Sequence, residues 1–126
     1  MYPEDLKYST SHEWLRRDDN LATVGITDHA QSEAGDIVYV ELPQAGTTVQ
    51  KGDVFGNIES VKTVSDLIAP VSGEIVEVNE ELPETPERIN ESPYGAGWMV
   101  IIKMEDASEV DDLMSAEEYE AFIQEH

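Results

Sequence analysis

Residues 52–78, GDVFGNIESVKTVSDLIAPVSGEIVEV, determine the predicted architecture of this chain. Val54–Glu59 and Val64–Ile68 are short runs rich in β-branched residues, and Glu74–Val78 is a third. Such runs predict β-strands when turn residues bound them. The segment 69–73, Ala-Pro-Val-Ser-Gly, has the composition of a turn. The stretch therefore predicts antiparallel strands joined by tight turns.

A lysine lies near the centre of a weak internal repeat in this stretch. Gly52-Asp53-Val54 is echoed by Gly73-Glu74-Ile75, and Lys62 lies between the two copies. Two related β segments folded about a hairpin place this lysine at the tip. A solvated turn residue is the ordinary interpretation of such a lysine. An exposed amine held away from the body of the protein is also what a modifying enzyme requires.

Alternating apolar residues predict three further strands. They are Leu21–Ile26, Ile37–Leu42 with Val38, Val40 and Leu42 on one face, and Trp98–Met104 with Trp98, Val100, Ile102 and Met104 on one face. Residues 79–97 show little periodicity and predict a long ordered loop. Several short strands separated by Gly and Pro turns favour a mainly β sandwich or flattened barrel.

Two short helices are predicted on this β body. Asp28, followed three residues later by Gln31, is a capping-box pattern, and Gly35 ends that helix. Ser115-Ala-Glu-Glu118 is a second capping box. It precedes Tyr119, Phe122 and Ile123 at the i, i+3, i+4 spacing of an amphipathic helix.

The charge of the chain limits its partners. Seven Lys and Arg against 28 Asp and Glu give a formal net charge of −21. Such a surface repels phosphate backbones, so nucleic acid and anionic membranes are poor partners, whereas basic protein surfaces are favourable ones. Self-repulsion favours a monomer at low salt, and a halophilic host is one interpretation of the composition.

The residues that several functional classes require are absent from this sequence. The chain has no cysteine, so thiol nucleophiles, disulfides and thiolate zinc sites are excluded. Its three histidines, His12, His29 and His126, do not have the spacing of a metal-binding helix, and no metal site is expected. There is no run of 18 apolar residues and no basic leader near the start, so we expect no membrane span and a cytoplasmic protein.

Six segments of the chain, in this order, are similar to those of one known family. They are residues 11–14 (SHEW), 24–31 (VGITDHAQ), 35–43 (GDIVYVELP), 59–79 (ESVKTVSDLIAPVSGEIVEVN), 90–95 (NESPYG) with Gly97-Trp98, and 113–119 (LMSAEEY). The sequence resembles the glycine cleavage system H protein family, and residues 59–79 are similar to the lipoyl-lysine segment of that family. The resemblance implies a flattened barrel-sandwich hybrid of the biotinyl and lipoyl carrier type. It implies a single lipoyl-carrier domain over residues 1–126, with a β core at about 6–104 and a helical region at about 106–125.

The resemblance also implies the modification site. Lys62 matches the lysine that carries lipoate in amide linkage, as N6-lipoyllysine. Glu59 and Gly73 match positions that the lipoylating enzymes read.

Three further positions match polar residues that line the cleft in which the loaded arm rests: Ser11, Glu13 and Asp66. Each also has an ordinary interpretation, Ser11 as a turn residue and the other two as surface carboxylates among 28. Some family members have His where this chain has Glu33, so the resemblance implies no role for that side chain.

By this resemblance the chain is a non-catalytic carrier in a multienzyme system. The arm accepts the aminomethyl group of glycine at the PLP-dependent glycine decarboxylase (P protein) and presents it to the tetrahydrofolate-dependent aminomethyltransferase (T protein). Dihydrolipoyl dehydrogenase (L protein) then reoxidises the arm. A lipoate ligase or a lipoyl or octanoyl transferase attaches the group. A lipoate relay that donates lipoyl groups to other proteins is an alternative that the sequence leaves open.

Other classes fit the sequence less well. Biotinyl domains typically place Met on both sides of the lysine, where this chain has Val61 and Thr63. Lipoyl domains of 2-oxo acid dehydrogenases are usually shorter and lack the Trp98 region and the C-terminal helix. Ser11-His12-Glu13 does not predict a catalytic triad, because adjacent strand residues point to opposite faces. A metal-binding or scaffolding role has no calcium-loop motif to support it.

Overall fold

The computed structural model describes residues 2–125, so His126 lies outside the described residues. In this range there are nine β-strands, three α-helices and one 3-10 helix. The strands are β1 (Lys7–Tyr8), β2 (Glu13–Asp18), β3 (Leu21–Ile26), β4 (Ile37–Glu41), β5 (Thr48–Val49), β6 (Val54–Ser60), β7 (Val64–Ile68), β8 (Gly73–Val78) and β9 (Val100–Met104). The helices are α1 (Asp28–Ala34), α2 (Arg88–Glu91) and α3 (Ala116–Glu125), with the 3-10 helix at Ala107–Asp112.

The strands form two antiparallel sheets. A six-stranded sheet has the order β1-β2-β3-β9-β8-β5, and a three-stranded sheet has the order β4-β6-β7. The sheets do not close into a barrel. The predicted mainly β, barrel-sandwich architecture with a short internal helix and a C-terminal helix is therefore confirmed.

The main hydrophobic core fills the space between the two sheets. Ile58 and Leu67 of the small sheet pack in one cluster with Val24, Ile75 and Ile102 of the large sheet, all at most 4% exposed. Burying one such aliphatic side chain stabilises a fold by about 1.5–3 kcal/mol. This shared core fixes β6 and β7, and hence the turn between them, against the large sheet.

A second apolar cluster attaches α3 to the large sheet. Tyr8 of β1 and Tyr119 of α3 are fully buried, and their rings stack with centroids 4.9 Å apart. Trp14 of β2 belongs to the same cluster, and its indole N–H donates to the carbonyl of Pro93 at 2.9 Å. Ring packing therefore attaches the C-terminal helix to the large sheet.

The prediction that Val38, Val40 and Leu42 lie on one face of β4 is only partly correct. Val38, Val40 and Leu42 do not share a buried face, because a register irregularity lies between Ile37 and Tyr39 in the pairing with β6. Ile37 and Val40 are 3% and 1% exposed, whereas Val38 is 52% exposed. A β-bulge adds one residue to a strand and so changes which side chains face the core.

The start of α1 also differs from its prediction. Thr27, rather than Asp28, is the N-cap, and its Oγ1 accepts from the Ala30 N–H at 3.1 Å. Gln31 instead donates from its side chain to Asp28 at 2.8 Å. Gly35 ends the helix as predicted, with a φ of 87° that favours glycine.

The segment 79–97 is more structured than expected. It contains α2, and the following strand begins at Val100 instead of Trp98. The Asn79 side-chain amide donates to the carbonyls of Ala96 and Trp98 at 3.0 and 2.8 Å. Trp98 itself lies outside the strand ladder, and its ring packs in the second apolar cluster.

The capping box of α3 is confirmed. The Glu118 N–H donates to Ser115 Oγ at 3.2 Å, and the Ser115 N–H donates to the Glu118 carboxylate at 2.9 Å. Each side chain therefore accepts from the backbone N–H of the other residue, and the start of a helix would otherwise leave these N–H groups without a partner.

Ser115→Ala is expected to lower the free energy of unfolding by about 1 kcal/mol, because the Glu118 N–H loses its acceptor. Urea denaturation followed by circular dichroism measures this change. Glu117→Ala is the control, since Glu117 lies in the same first turn but outside the capping box. Equal destabilisation by both substitutions would contradict a role for the box.

Candidate functional site

The turn between β6 and β7 is held by one serine. Ser60 Oγ accepts from the backbone N–H groups of Lys62 and Thr63 at 3.1 and 3.0 Å. The Ser60 N–H donates to the Thr63 carbonyl at 2.8 Å. The turn is thus fixed by its own hydrogen bonds, while the Lys62 side chain stays exposed. The sequence-based placement of Lys62 at a hairpin tip is confirmed.

The Lys62 side chain lies against the end of α1. A Cβ added at Gly35 would lie 3.1 Å from Lys62 Cε and 3.8 Å from its Nζ. The Val61 N–H also donates to the Asp36 carbonyl at 3.2 Å. Gly35 therefore provides both the left-handed backbone at the helix end and the space for the lysine stem. The carbonyl end of a helix carries a partial negative charge that favours a nearby ammonium group.

A cleft of about 350 Å³ opens beside this turn. Its walls come from the start of β2, from α1 and from strands β6 and β7 of the small sheet. The lining residues are Ser11, His12, Glu13, Ile26, His29, Ala30, Glu33, Ala34, Ile58, Thr63, Ser65, Asp66 and Leu67. The structure thus brings together Ser11, Glu13 and Asp66, which the sequence analysis proposed as cleft residues. Thr63, directly after Lys62, also lines the cleft.

Glu13 is a buried carboxyl in this cleft. It is 1% exposed, and its Oε1 accepts from the hydroxyls of Ser9 and Ser11. Its Oε2 accepts from the Ile68 N–H at 3.1 Å, which joins the large sheet to the small one. Burial raises the pKa of Glu13 to about 7, although these hydrogen bonds oppose the shift. The group can therefore gain or lose a proton near neutral pH.

One phenol connects the loop before β2 to the start of α1. The Tyr119 hydroxyl lies 2.7 Å from His12 Nδ1 and 2.8 Å from Thr27 Oγ1. His12 lines the cleft together with Ser11 and Glu13, whereas Thr27 caps α1. Burial, together with the neighbouring His29 ring, lowers the pKa of His12. The hydroxyl thus adds to the bond that the Thr27 N–H already donates to the His12 carbonyl at 3.1 Å.

The sequence analysis did not identify His12 and His29 as cleft-lining residues, or Tyr119 as the hydrogen-bond partner of His12. His12 was present in the SHEW motif, but its contact partner is 107 residues away in the chain. The sequence did contain one indication for Tyr119. Its position on the apolar face of α3 predicts burial, and the hydroxyl of a buried tyrosine usually has a hydrogen-bond partner.

Glu59 and Gly73 lie outside the cleft. Glu59 is exposed on β6, close to the turn. Gly73 is buried on β8, where an added Cβ would lie 2.1 Å from the Lys103 carbonyl oxygen and 2.9 Å from Ile102 Cγ2. Packing against β9 therefore requires glycine at position 73, whether or not an enzyme contacts it.

The described residues provide no alternative metal centre. Within residues 2–125, no group of three or more His, Asp and Glu side chains is arranged to hold a metal ion. None of the helices in that range is both long enough and apolar enough to cross a membrane.

Comparison with known proteins agrees with this geometry. The model of the glycine cleavage H-protein family matches residues 6–126. The chain belongs to this family. It is 54% identical to the glycine cleavage system H protein of Geobacillus kaustophilus over 98% of this chain and 97% of the relative. It is 56% identical to that of Halalkalibacterium halodurans, over 98% and 96% respectively.

A solved structure supports the same assignment. The crystal structure of a glycine cleavage system H protein from Mycobacterium marinum superposes with a TM-score of 0.90 at 42% identity. The similarity covers 97% of this chain and 98% of that one. The resemblance found in the sequence is therefore confirmed, including the barrel-sandwich fold.

The raised pKa of Glu13 predicts a pH-dependent stability. The folded chain keeps this proton between the ordinary carboxyl pKa of 4.5 and about 7, where the unfolded chain has lost it. The contribution of Glu13 is therefore greatest below pH 4.5 and falls as pH rises to about 7. At 1.36 kcal/mol per pKa unit, the fall amounts to roughly 3 kcal/mol.

Urea unfolding of the wild type and of Glu13→Gln, at matched ionic strength between pH 4.5 and 8, measures this effect. The difference between the two proteins isolates Glu13 from the other carboxylates. We expect the wild-type curve to fall more steeply with pH than that of the variant. Parallel curves would show that Glu13 ionises as readily in the folded chain as in the unfolded one.

Proposed function

We propose that this chain is the lipoyl carrier of a glycine cleavage system, with lipoate attached by an amide bond to Nζ of Lys62. The observation that supports this most is the position of Lys62. It is exposed on a turn fixed by Ser60, beside a cleft that holds a buried carboxyl. Family membership supports the same role.

The chemistry of transfer belongs to the lipoyl group and to the partner enzymes. When attached, the lipoyl group would supply a disulfide able to accept the aminomethyl group of glycine, and the P-protein decarboxylase, the T-protein aminomethyltransferase and dihydrolipoyl dehydrogenase would load, unload and reoxidise it. The chain itself supplies an attachment point and a resting place. Lysine plus lipoyl spans roughly 14 Å when extended, so one turn can reach several active sites.

The residues present fit such an arm. A cleft of about 350 Å³ lies within the range of roughly 300–1,000 Å³ that is typical of small-molecule pockets. Thr63, the residue after Lys62, lines this cleft, so the attachment point lies directly beside it. The apolar lining from Ile26, Ile58 and Leu67 suits a hydrocarbon chain.

The carboxylates of the cleft suit an amine cargo. A primary amine is protonated at neutral pH, and the lining contains Glu13, Glu33 and Asp66. An ammonium group beside Glu13 favours its ionised form, so the carboxyl releases its proton as the cargo arrives and forms a charge-assisted hydrogen bond. Exclusion of water from the bound arm slows hydrolysis of the cargo.

This proposal includes the remaining expectations for the chain. It acts as a carrier and not as an enzyme, in the cytoplasm, as a monomer that meets basic surfaces of the P, T and L proteins. A lipoate ligase or a lipoyl or octanoyl transferase modifies it. The alternative is a lipoate relay, which would be favoured if the loaded protein donates its lipoyl group to a 2-oxo acid dehydrogenase domain.

We expect the protein purified from its host to carry the mass of one lipoyl group, and peptide mapping to locate it on Lys62. Lys62→Arg should abolish this mass shift. Lys51→Arg should retain it, because Lys51 is paired with Asp112 at 3.1 Å, away from the turn. Biotin at Lys62 would contradict the proposal, as would an unmodified lysine that resists lipoate ligase in vitro.

Glu13→Gln should leave lipoylation intact and shorten the lifetime of the loaded amine by about tenfold or more, because a hydrogen bond to a charged group contributes about 1.5–3 kcal/mol. Ammonia release from the loaded protein in the absence of the T protein measures this lifetime. Glu77→Gln on β8, outside the cleft, is the control. An unchanged lifetime in Glu13→Gln would contradict the role of the cleft.

A further inference from the structure

The buried carboxyl of the cleft is hydrogen-bonded to a hydroxyl that does not line the cleft. Ser9 is 9% exposed, and its Oγ donates to Glu13 Oε1 at 2.8 Å. Of the described residues that line the cleft, Ser11 and Glu13 are members and Ser9 is not. Any effect of Ser9 on a molecule in the cleft is therefore expected to pass through Glu13.

The contacts of Ser9 fix the direction of its hydroxyl. Its Oγ accepts from the Glu13 N–H at 3.0 Å, and its own N–H donates to the Glu13 carbonyl at 2.9 Å. The hydroxyl proton has three acceptors within reach: Glu13 Oε1 at 2.8 Å, Ser11 Oγ at 3.2 Å and the Glu13 carbonyl oxygen at 3.4 Å. The carboxyl oxygen is the nearest of these, and a carboxylate is also the strongest acceptor. Ser9 is thus a fixed donor to Glu13.

Ser11 contacts the same carboxyl oxygen under different conditions. Its hydroxyl also donates to Glu13 Oε1, but Ser11 is exposed and lines the cleft. Water and any molecule in the cleft compete with Glu13 for that hydroxyl, whereas the burial of Ser9 limits such competition. Burial raises the pKa of Glu13, and the bonds from Ser11 and Ser9 oppose this rise. Of these two donors, Ser9 is the one that stays in place when the cleft fills.

We propose that Ser9 is a positioning residue, which holds the Glu13 carboxyl in place for an amine cargo and favours its ionised form. This inference rests on the proposed function and adds a residue behind the cleft to those that line it. A protonated amine forms its strongest hydrogen bond with an ionised carboxylate. A donor that favours the ionised form therefore also favours retention of the amine.

The other titratable groups around Glu13 stay the same when Ser9 is replaced. They come from the loop before β2, from α1, from β7 and from α3, and they are His12, His29, Glu33, Asp66 and Tyr119. Within residues 2–125, the hydrogen bonds of the Ser9 side chain are to Ser11 and Glu13 and to none of these groups. A comparison of Ser9 variants at one ionic strength therefore isolates the bond to Glu13.

The first test uses the unmodified chain and follows the ionisation of Glu13 by carbon-13 NMR of its side-chain carboxyl, assigned by its absence in Glu13→Gln. Ser9→Ala removes one donor to the carboxylate, so we expect the pKa of Glu13 to rise by about one unit, a tenfold change in its ionisation constant. Thr10→Ala is the control. Thr10 is the exposed neighbour of Ser9, and its substitution should leave the pKa of Glu13 unchanged.

Ser9→Cys provides a second variant of similar shape in case Ser9→Ala does not fold. A thiol is only a weak hydrogen-bond donor, so we expect the pKa of Glu13 to rise in the same direction. Urea unfolding establishes which variants fold. A folded Ser9 variant in which Glu13 titrates as in the wild type would overturn the proposal.

The second test uses the loaded protein. Ser9→Ala should shorten the lifetime of the loaded amine by about threefold or more, measured as ammonia release in the absence of the T protein. In a Glu13→Gln background, the same substitution should change the lifetime by less than about twofold, because residues that act through one group are not additive. An unchanged lifetime in Ser9→Ala, or losses that multiply in the double variant, would overturn the role of Ser9.

The two tests separate this inference from the proposed function. If no lipoate is found on Lys62, the proposed function fails, and the titration of the unmodified chain still decides whether Ser9 controls the ionisation of Glu13. If Lys62 carries lipoate and the Ser9 variants match the wild type in both tests, only the role of Ser9 fails.

Discussion

A buried carboxyl group connects the two sheets of this protein, and the cleft depends on it. Glu13 accepts from Ser9 and Ser11 in the loop before β2, and from the Ile68 N–H on the small sheet. A carboxyl that is withdrawn from water must find its hydrogen bonds within the protein. The bond from Ile68 therefore ties the small sheet to the large one beside the cleft, while the two serine hydroxyls satisfy the other carboxyl oxygen. The carboxyl group that connects the two sheets is therefore also the titratable group of the cleft.

Local patterns in the sequence were sufficient for much of the fold. The β6–β7 hairpin and the α3 capping box depend on neighbouring residues, and both were predicted with nearly correct bounds. The bulge near Val38 was not, because an irregular register is a property of two paired strands and not of either sequence alone. The start of the last strand was also misplaced at Trp98, whose ring packs in the second apolar cluster with residues that are distant in the sequence.

The site was predictable to the extent that its residues lie near one another in the sequence. Lys62 was identified from its hairpin, whereas Ser11, Glu13 and Asp66 were identified only through resemblance to a family. Their convergence requires two sheets to pack, and no spacing in the sequence encodes it. The Tyr119 hydroxyl reaches Thr27 across 92 positions of the chain, which is beyond any local pattern.

The lining of the cleft comes entirely from the first 67 positions of the chain. Among the residues that the structure describes, those that line the cleft run from Ser11 to Leu67, and none belongs to β8, β9 or α3. Tyr119 of α3 lies behind this lining, where its hydroxyl is hydrogen-bonded to His12 and Thr27. Substitutions in the last third of the chain can therefore change how firmly the cleft is supported without changing the side chains that it presents.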